Sequence, residues 1–239
     1  MIKIKWQDEW WNSQSLLERI VWRGVEAQHI VATMKLVDFL EEQQILEEIL
    51  ESSKPPLPLN SKNNHYLLTT PFRYPSMHPS RFRKAHALGI WYGAENLRTA
   101  CVEVGYWRWR FLIDSDGLRN TELVSQHTFF QAKITGTSID LSVPPWNELQ
   151  QYWKSDDYTN CQTIAMEARS RRIQWIRYES VRGPVSHCAA VLSSECLNLH
   201  EPQIQQHWIC KATQKTVVML HNMQGKEDQF EMSMPELPT

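Results

Sequence analysis

Any chemistry in this 239-residue chain has to come from arginines, carboxylates and aromatics, because the patterns behind most enzymatic motifs are missing. Arg81-Phe82-Arg83-Lys84 is a basic cluster beside an aromatic. Glu103 stands early in a helical stretch, Tyr92 follows Trp91 in a short apolar run, and Ser180 lies in Tyr178-Glu179-Ser180-Val181-Arg182-Gly183. Taken singly, each has a plain reading: a solvated loop, a carboxylate complementing a helix dipole on an exposed face, a ring beside one that faces the core, and a turn hydroxyl. The chain has 8 glycines and neither G-x-G-x-x-G nor G-x-x-x-x-G-K-[ST], so any bound phosphate must be held by arginine. There is no G-x-S-x-G and no H-E-x-x-H. His29, His65, His78, His86, His127 and His221 show no base–nucleophile pattern, which gives no reason to invoke a Ser-His-Asp triad. Cys101, Cys161, Cys188, Cys196 and Cys210 are odd in number and lack a C-x-x-C pair, so buried thiols in a reducing cytosol are expected, and no metal site. His187 and Cys188 are neighbours, which on a strand point to opposite faces.

The elements that must position these residues alternate between strand and helix. Ile20-Val21-Trp22 is β-type. From about Thr33 to Leu50, Leu36, Phe39 and Leu40, then Gln43, Ile45, Leu46, Ile49 and Leu50, recur at helical spacing among glutamates. Lys54-Pro55-Pro56-Leu57-Pro58 stops that helix, and residues 54–64 read as a loop. Gly89 to Tyr92 is a short strand. Thr99 to Phe111 is a helix with Ala100, Val104, Trp107 and Phe111 on one face, and Asp114 to Gly117 turns the chain. Lys133 to Leu141, Gln174 to Tyr178 and Cys188 to Leu192 read as strands, Asp157 to Arg171 as a helix. Trp208 to Lys211 and Thr216 to Leu220 read as a late hairpin. This is a mixed α/β pattern of a size that fits one large domain. A net charge of -2, from 25 Lys+Arg against 27 Asp+Glu, advertises neither nucleic acid nor an anionic membrane. No apolar run approaches the ~18 residues of a membrane span, and the N-terminus carries no secretory pattern. Trp is over-represented, at 11 residues, which raises the odds of a flat ligand pocket.

Taken together, the motifs resemble the RES domain. SRFRKAHALGIWYGAENLRTACVEVGYWRWRF, residues 80–111, is similar to the family's first signature: an arginine, a strand ending in Tyr, then a helix start carrying Glu. Here Tyr92 and Glu103 are 103 − 92 = 11 apart. IQWIRYESVRGPVSHCAAVL, residues 173–192, resembles the second signature, and IVWRGVEAQHIVATMKLVD resembles an opening strand with a further arginine, Arg23. The family's Arg, Glu and Ser fall on Arg81, Glu103 and Ser180. Arg83 competes with Arg81, because the usual Asn and Gly after the arginine are replaced by Phe82-Arg83-Lys84. The resemblance covers roughly residues 19–220. It implies a single domain over 1–239, with a core of about 16–220 and residues 33–70 as a helical and loop insertion.

The resemblance also implies a fold like that of the ADP-ribosyltransferases, with an NAD-binding cleft between a small mixed sheet and helices. It implies cleavage of NAD+ at the nicotinamide–ribose bond, by phosphorolysis with inorganic phosphate, by hydrolysis, or by transfer of ADP-ribose to a protein. A member that has lost catalysis and persists as a binding module is the alternative of a different class. NAD+ is then substrate and no cofactor is implied. The implied partner is an Xre-type helix-turn-helix antitoxin covering the active site, in the cytoplasm, with no direct nucleic-acid or membrane contact. In this scheme Arg81, Glu103 and Ser180 are catalytic, and Arg23, Tyr92, Arg83 and Arg182 bind substrate. Arginines would hold the pyrophosphate. Glu103 would face the oxocarbenium-like centre, Tyr92 would stack on nicotinamide, and Ser180 would bond the ribose or phosphate. Nicotinamide leaves as a neutral ring, so no poised acid is needed.

Overall fold

The structure is a computed structural model that describes residues 6–27, 36–56, 65–183, 186–197, 203–223 and 226–235. Its framework is β1 (Ser15–Glu26), β2 (Trp91–Ala94), β3 (Leu123–Asp140), β4 (Trp175–Glu179), β5 (His187–Val191), β6 (Gln203–Ala212), β7 (Thr216–Met223) and β8 (Lys226–Ser233). The strands form one sheet in the order β1-β2-β5-β4-β3-β6-β7-β8, and β1 also pairs with β3, so five strands close on themselves. β3 makes this possible through its length. It runs antiparallel to β1 from Ser15↔Ser138 to Glu26↔His127, parallel to β4 at its C-terminal end, and antiparallel to β6 at its N-terminal end. Antiparallel and parallel pairs therefore share one sheet, as the mixed α/β reading expects.

The helices are α1 (Leu40–Ser53), α2 (Tyr66–Arg73), α3 (Leu97–Asp114), α4 (Gln150–Trp153) and α5 (Thr159–Ser170). Val21, Trp91, Phe130, Ile134, Trp175 and Val191 fill one face of the closed strands. Ile139, Ile176, Cys188 and Ala190 on the other face pack with Cys101, Leu112, Ile164 and Ala168 of α3 and α5. Asn96 caps α3, its side chain accepting from the backbone N–H groups of Arg98 and Thr99. The approach of α3 to the sheet requires glycine on both sides. A Cβ on Gly24 would stand 2.5 Å from the Phe129 ring and 2.8 Å from a Val104 methyl, and one on Gly105 would meet Met232 and Val217.

Three expectations change. The helix read from Thr33 begins at Leu40; Thr33 to Lys35 lie outside the described residues, as does His29. None of α1 is buried, and Leu36, Phe39, Leu40, Ile45 and Ile49 are all more than half exposed. It is tied down by polar contacts, chiefly Arg73 to Glu51, so its apolar spacing records a helix but not a core face. β3 begins ten residues before Lys133, and β8 was not anticipated, because KEDQFEMS is polar enough to pass for a loop. α2 and α4 had no counterpart in the sequence reading either, and the remaining elements overlap their expected positions. All five cysteines are buried. Among the described residues no helix is long and apolar enough to cross a membrane.

Candidate active site

A cleft of about 400 Å³ opens between α3 and the ends of β1, β2 and β3, within the size range of small-molecule sites. Arg23, Arg81, Tyr92, Glu103 and Arg182 all line it. They come from β1, the segment before β2, β2 itself, α3 and the turn after β4, so five separated pieces of chain converge on one cavity.

At its centre Glu103 has both carboxylate oxygens engaged. Ser180 Oγ donates to Oε1 at 2.8 Å, and Arg182 Nη1 donates to Oε2 at 2.5 Å. Ser180 lies just beyond β4, buried, and also accepts from the Arg182 backbone N–H at 3.3 Å. Arg182 continues the network: Nη2 donates to the Tyr158 hydroxyl at 2.9 Å, and the guanidinium stacks on Tyr106 at 3.9 Å. Burial opposes the Arg182 charge, but Glu103 together with Tyr158 and Tyr106 more than offsets it, so the guanidinium is held above its ordinary pKa. The plain reading of Glu103 as an exposed dipole carboxylate is overturned, since its side chain is 20% exposed and tied to two partners.

Arg81 is buried, although its neighbours in sequence suggested a solvated loop. Nη1 donates to the carbonyls of Trp153 and Ser155 at 2.7 and 3.0 Å, and the guanidinium lies 4.7 Å over Tyr158. Tyr158 thus stands between Arg81 and Arg182. Among the described residues Nη2 of Arg81 and Nε of Arg23 are buried N–H donors with no oxygen or nitrogen acceptor, and the Arg81 guanidinium lies beside the Cys161 thiol. Such donors are costly unless a ligand satisfies them. Arg23 Nη1 donates to the Tyr92 carbonyl at 2.9 Å, and burial lowers its pKa to about 10, still charged at neutral pH. The Tyr92 hydroxyl is fixed by Ser80 Oγ at 2.8 Å and the Phe82 N–H at 3.2 Å, and burial pushes its pKa up.

Arg83 is the expected residue that the fold turns away. It does not line the cleft, and its Nη2 donates to the His78 carbonyl at 3.0 Å. The chain reverses at Ser80, where the Ser80 and Arg83 backbones pair, so alternate side chains diverge. Sequence reasoning also missed Tyr158, Glu26, Arg108 and His127. Glu26 accepts from Arg108 at 2.5 Å, and buried His127 bonds Ser125 Oγ at 2.8 Å. One signal was available: the apolar stripe Ala100, Val104, Trp107, Phe111 carries Glu103 within it. A carboxylate on such a stripe marks a cleft wall rather than a core face. Ala100, Glu103, Val104, Trp107, Arg108 and Phe111 indeed line the cavity.

On the opposite face of β4 and β5, Arg177 holds Glu95 through two hydrogen bonds, at 2.6 and 3.0 Å, and Asp140 at 2.6 Å. His187 joins this network through Ser142 Oγ at 3.1 Å, while Cys188 points to the cleft. Among the described residues no cluster of three His, Cys, Asp or Glu is arranged to hold a metal.

The RES domain model matches residues 58–212, which is 155 of the 239 positions. No curated protein matches the chain. Among solved structures, the crystal structure of the M. tuberculosis MbcT–MbcA toxin–antitoxin complex matches with a TM-score of 0.46 and 12% identity, over 84% of this chain and 91% of that one.

Proposed function

The chain belongs to the RES-domain family, and from that premise we propose that it cleaves the nicotinamide–ribose bond of NAD+, with inorganic phosphate as the preferred acceptor. The observation that carries this reading is the pairing of a fixed carboxylate, Glu103 held by Ser180 and Arg182, with the buried guanidinium groups of Arg23 and Arg81 in the same cleft, each with an N–H that lacks an oxygen or nitrogen acceptor among the described residues. Dinucleotides bring both anionic oxygens for such donors and a glycosidic centre that becomes positive as its base departs.

In this reading Arg81 and Arg23 take phosphate oxygens, and Tyr92 flanks the nicotinamide. Glu103 faces the anomeric carbon and the ribose hydroxyls, where its charge stabilises oxocarbenium character. Ser180 and Arg182 position that carboxylate. A phosphate oxygen forms the new bond to the anomeric carbon. The C–N bond breaks with its electron pair passing to the pyridinium, which leaves as neutral nicotinamide, and the other product is ADP-ribose-1″-phosphate. With water as acceptor the products are ADP-ribose, nicotinamide and a proton. With a protein side chain the same cleft gives mono-ADP-ribosylation.

The family resemblance also supports an Xre-type helix-turn-helix antitoxin as the partner that covers the cleft, in the cytoplasm where NAD+ is available. Incubating the pure protein with NAD+, with and without inorganic phosphate, and weighing the products separates the outcomes. ADP-ribose-1″-phosphate formed only with phosphate supports the proposal, ADP-ribose alone replaces it with hydrolysis, and intact NAD+ overturns it.

A further inference from the structure

The cleft is longer than the chemistry at Glu103 requires. Its α3 wall continues through Val104, Trp107 and Arg108 to Phe111, and eight helical residues past Glu103 add about 12 Å. The two ends differ in character. Around Arg81 and Tyr92 the cavity is closed and cationic, with guanidinium N–H groups that lack an oxygen or nitrogen acceptor among the described residues. At the other end Trp107 and Phe111, one helical turn apart, are 45% and 54% exposed. Gly24, Glu26 and His127 of β1 and β3 line the same cavity. The cation there, Arg108, is already committed to Glu26, so this end suits a flat neutral group rather than a phosphate.

We propose that Trp107 and Phe111 form a stacking platform for the adenine of NAD+, making this chain selective for the dinucleotide over the mononucleotide. The proposal rests on the reading of the cleft as an NAD+ site and assigns its outer end. Half-exposed rings suit a base that remains on the product and need not be shielded from water. The buried end, where Tyr92 stands, is left for nicotinamide and the bond that breaks. Stacking on an aromatic side chain tolerates any flat base and needs no fixed donor pattern. Arg182 lies 5.3 Å from the Trp107 ring, so Trp107 is also tied to the catalytic network, and Phe111 is the cleaner probe.

The test compares wild type, Phe111→Ala and Phe111→Trp on NAD+ and on nicotinamide mononucleotide, which has the same scissile bond without adenosine. Binding of ADP-ribose is measured separately by calorimetry. Phe111→Ala should raise KM for NAD+ by roughly tenfold, raise KM for the mononucleotide far less, and weaken ADP-ribose by the same roughly tenfold factor; Phe111→Trp should restore all three. An equal rise in KM for both substrates assigns the ring to the reacting end and overturns the platform. No change with any ligand also overturns it and leaves the exposed rings to a protein partner. If wild type binds ADP-ribose in a Phe111-dependent way but leaves NAD+ intact, the platform stands and the cleavage reading falls. If wild type does not bind ADP-ribose, the platform itself falls.

Discussion

Ser180 Oγ donates a hydrogen bond to Glu103 Oε1 at 2.8 Å, joining residues 77 positions apart in the sequence. The bond links the turn after β4 to the second turn of α3, and with Arg182 on the other oxygen it leaves the carboxylate little freedom to rotate. A charge meant to stabilise a transition state works best when it needs no reorganisation as the reaction proceeds.

Replacing Glu103 by Gln should therefore collapse turnover while sparing most NAD+ affinity. Gln keeps the size and one acceptor oxygen but removes the charge. A preorganised charge of this kind contributes about two to three orders of magnitude in rate, and an interaction made in the transition state shows in kcat rather than in binding. An NAD+ depletion assay beside a circular-dichroism check of the fold decides it. Unchanged depletion would return Glu103 to a purely structural role.

Ser180→Ala should have a milder effect. The variant frees one carboxylate oxygen but leaves Arg182 in place, and a hydrogen bond to a charged group contributes about 1.5–3 kcal/mol. Turnover should fall by roughly ten- to a hundredfold, less than in Glu103→Gln. A larger loss than in Glu103→Gln would make Ser180 a direct participant instead of a positioning residue.

Arg81→Ala should weaken NAD+ binding and also lower thermal stability, because two carbonyls, of Trp153 and Ser155, lose their donor. Leaving such groups unsatisfied costs about 1–3 kcal/mol, or a melting shift of several degrees at roughly 2–4 °C per kcal/mol. Arg81→Lys should recover only part of either property, since an ammonium cannot replace a planar fork. Equal NAD+ binding by Lys and Arg would show that only charge matters at this position. Arg83→Ala, whose guanidinium is turned toward His78, should leave NAD+ binding near wild type.

Acid should destabilise the fold through His127 well before the carboxylates titrate. Burial, reinforced by the nearby Arg108, lowers its pKa from 6.5 to about 4. The unfolded chain therefore binds the proton first as pH falls, so stability is full above pH 6.5 and is lost between 6.5 and 4. Between pH 7 and 5 the loss is about 2 kcal/mol. Urea denaturation of wild type and His127→Gln at both pH values checks this: the variant should show that much less pH dependence. An identical slope in the two proteins would place the titration elsewhere.

The catalytic candidates were legible because their identities are set by chemistry that leaves spaced motifs. Arg81, Glu103 and Ser180 came from strings of ordinary length, and the strand and helix carrying them follow hydrophobic periodicity. What surrounds them was not legible. Tyr158 reaches Arg81 and Arg182 only because α5 is brought against the cleft by tertiary packing. The choice between Arg81 and Arg83 depends on a reversal at Ser80 that no pattern announces. α1 shows the limit from the other side: helical spacing of Ile45, Leu46, Ile49 and Leu50 identifies a helix, yet burial depends on whether another surface meets it.

The closure of β1 onto β3 has a consequence for the chain as it is being made. Ser15 pairs with Ser138, and Arg23 waits for Arg182 to complete the cleft. Those last two residues are 182 − 23 = 159 positions apart. At 5–20 residues per second the interval on the ribosome is roughly ten to thirty seconds. For 140 − 23 = 117 of those positions β1 lacks the whole of β3, the strand it pairs with along its full length, and the guanidinium and carboxylate groups lie on separate stretches of polymer. The cleft therefore assembles late, and a truncated product ending before β4 would carry Arg23, Arg81 and Glu103 without the turn that fixes the carboxylate.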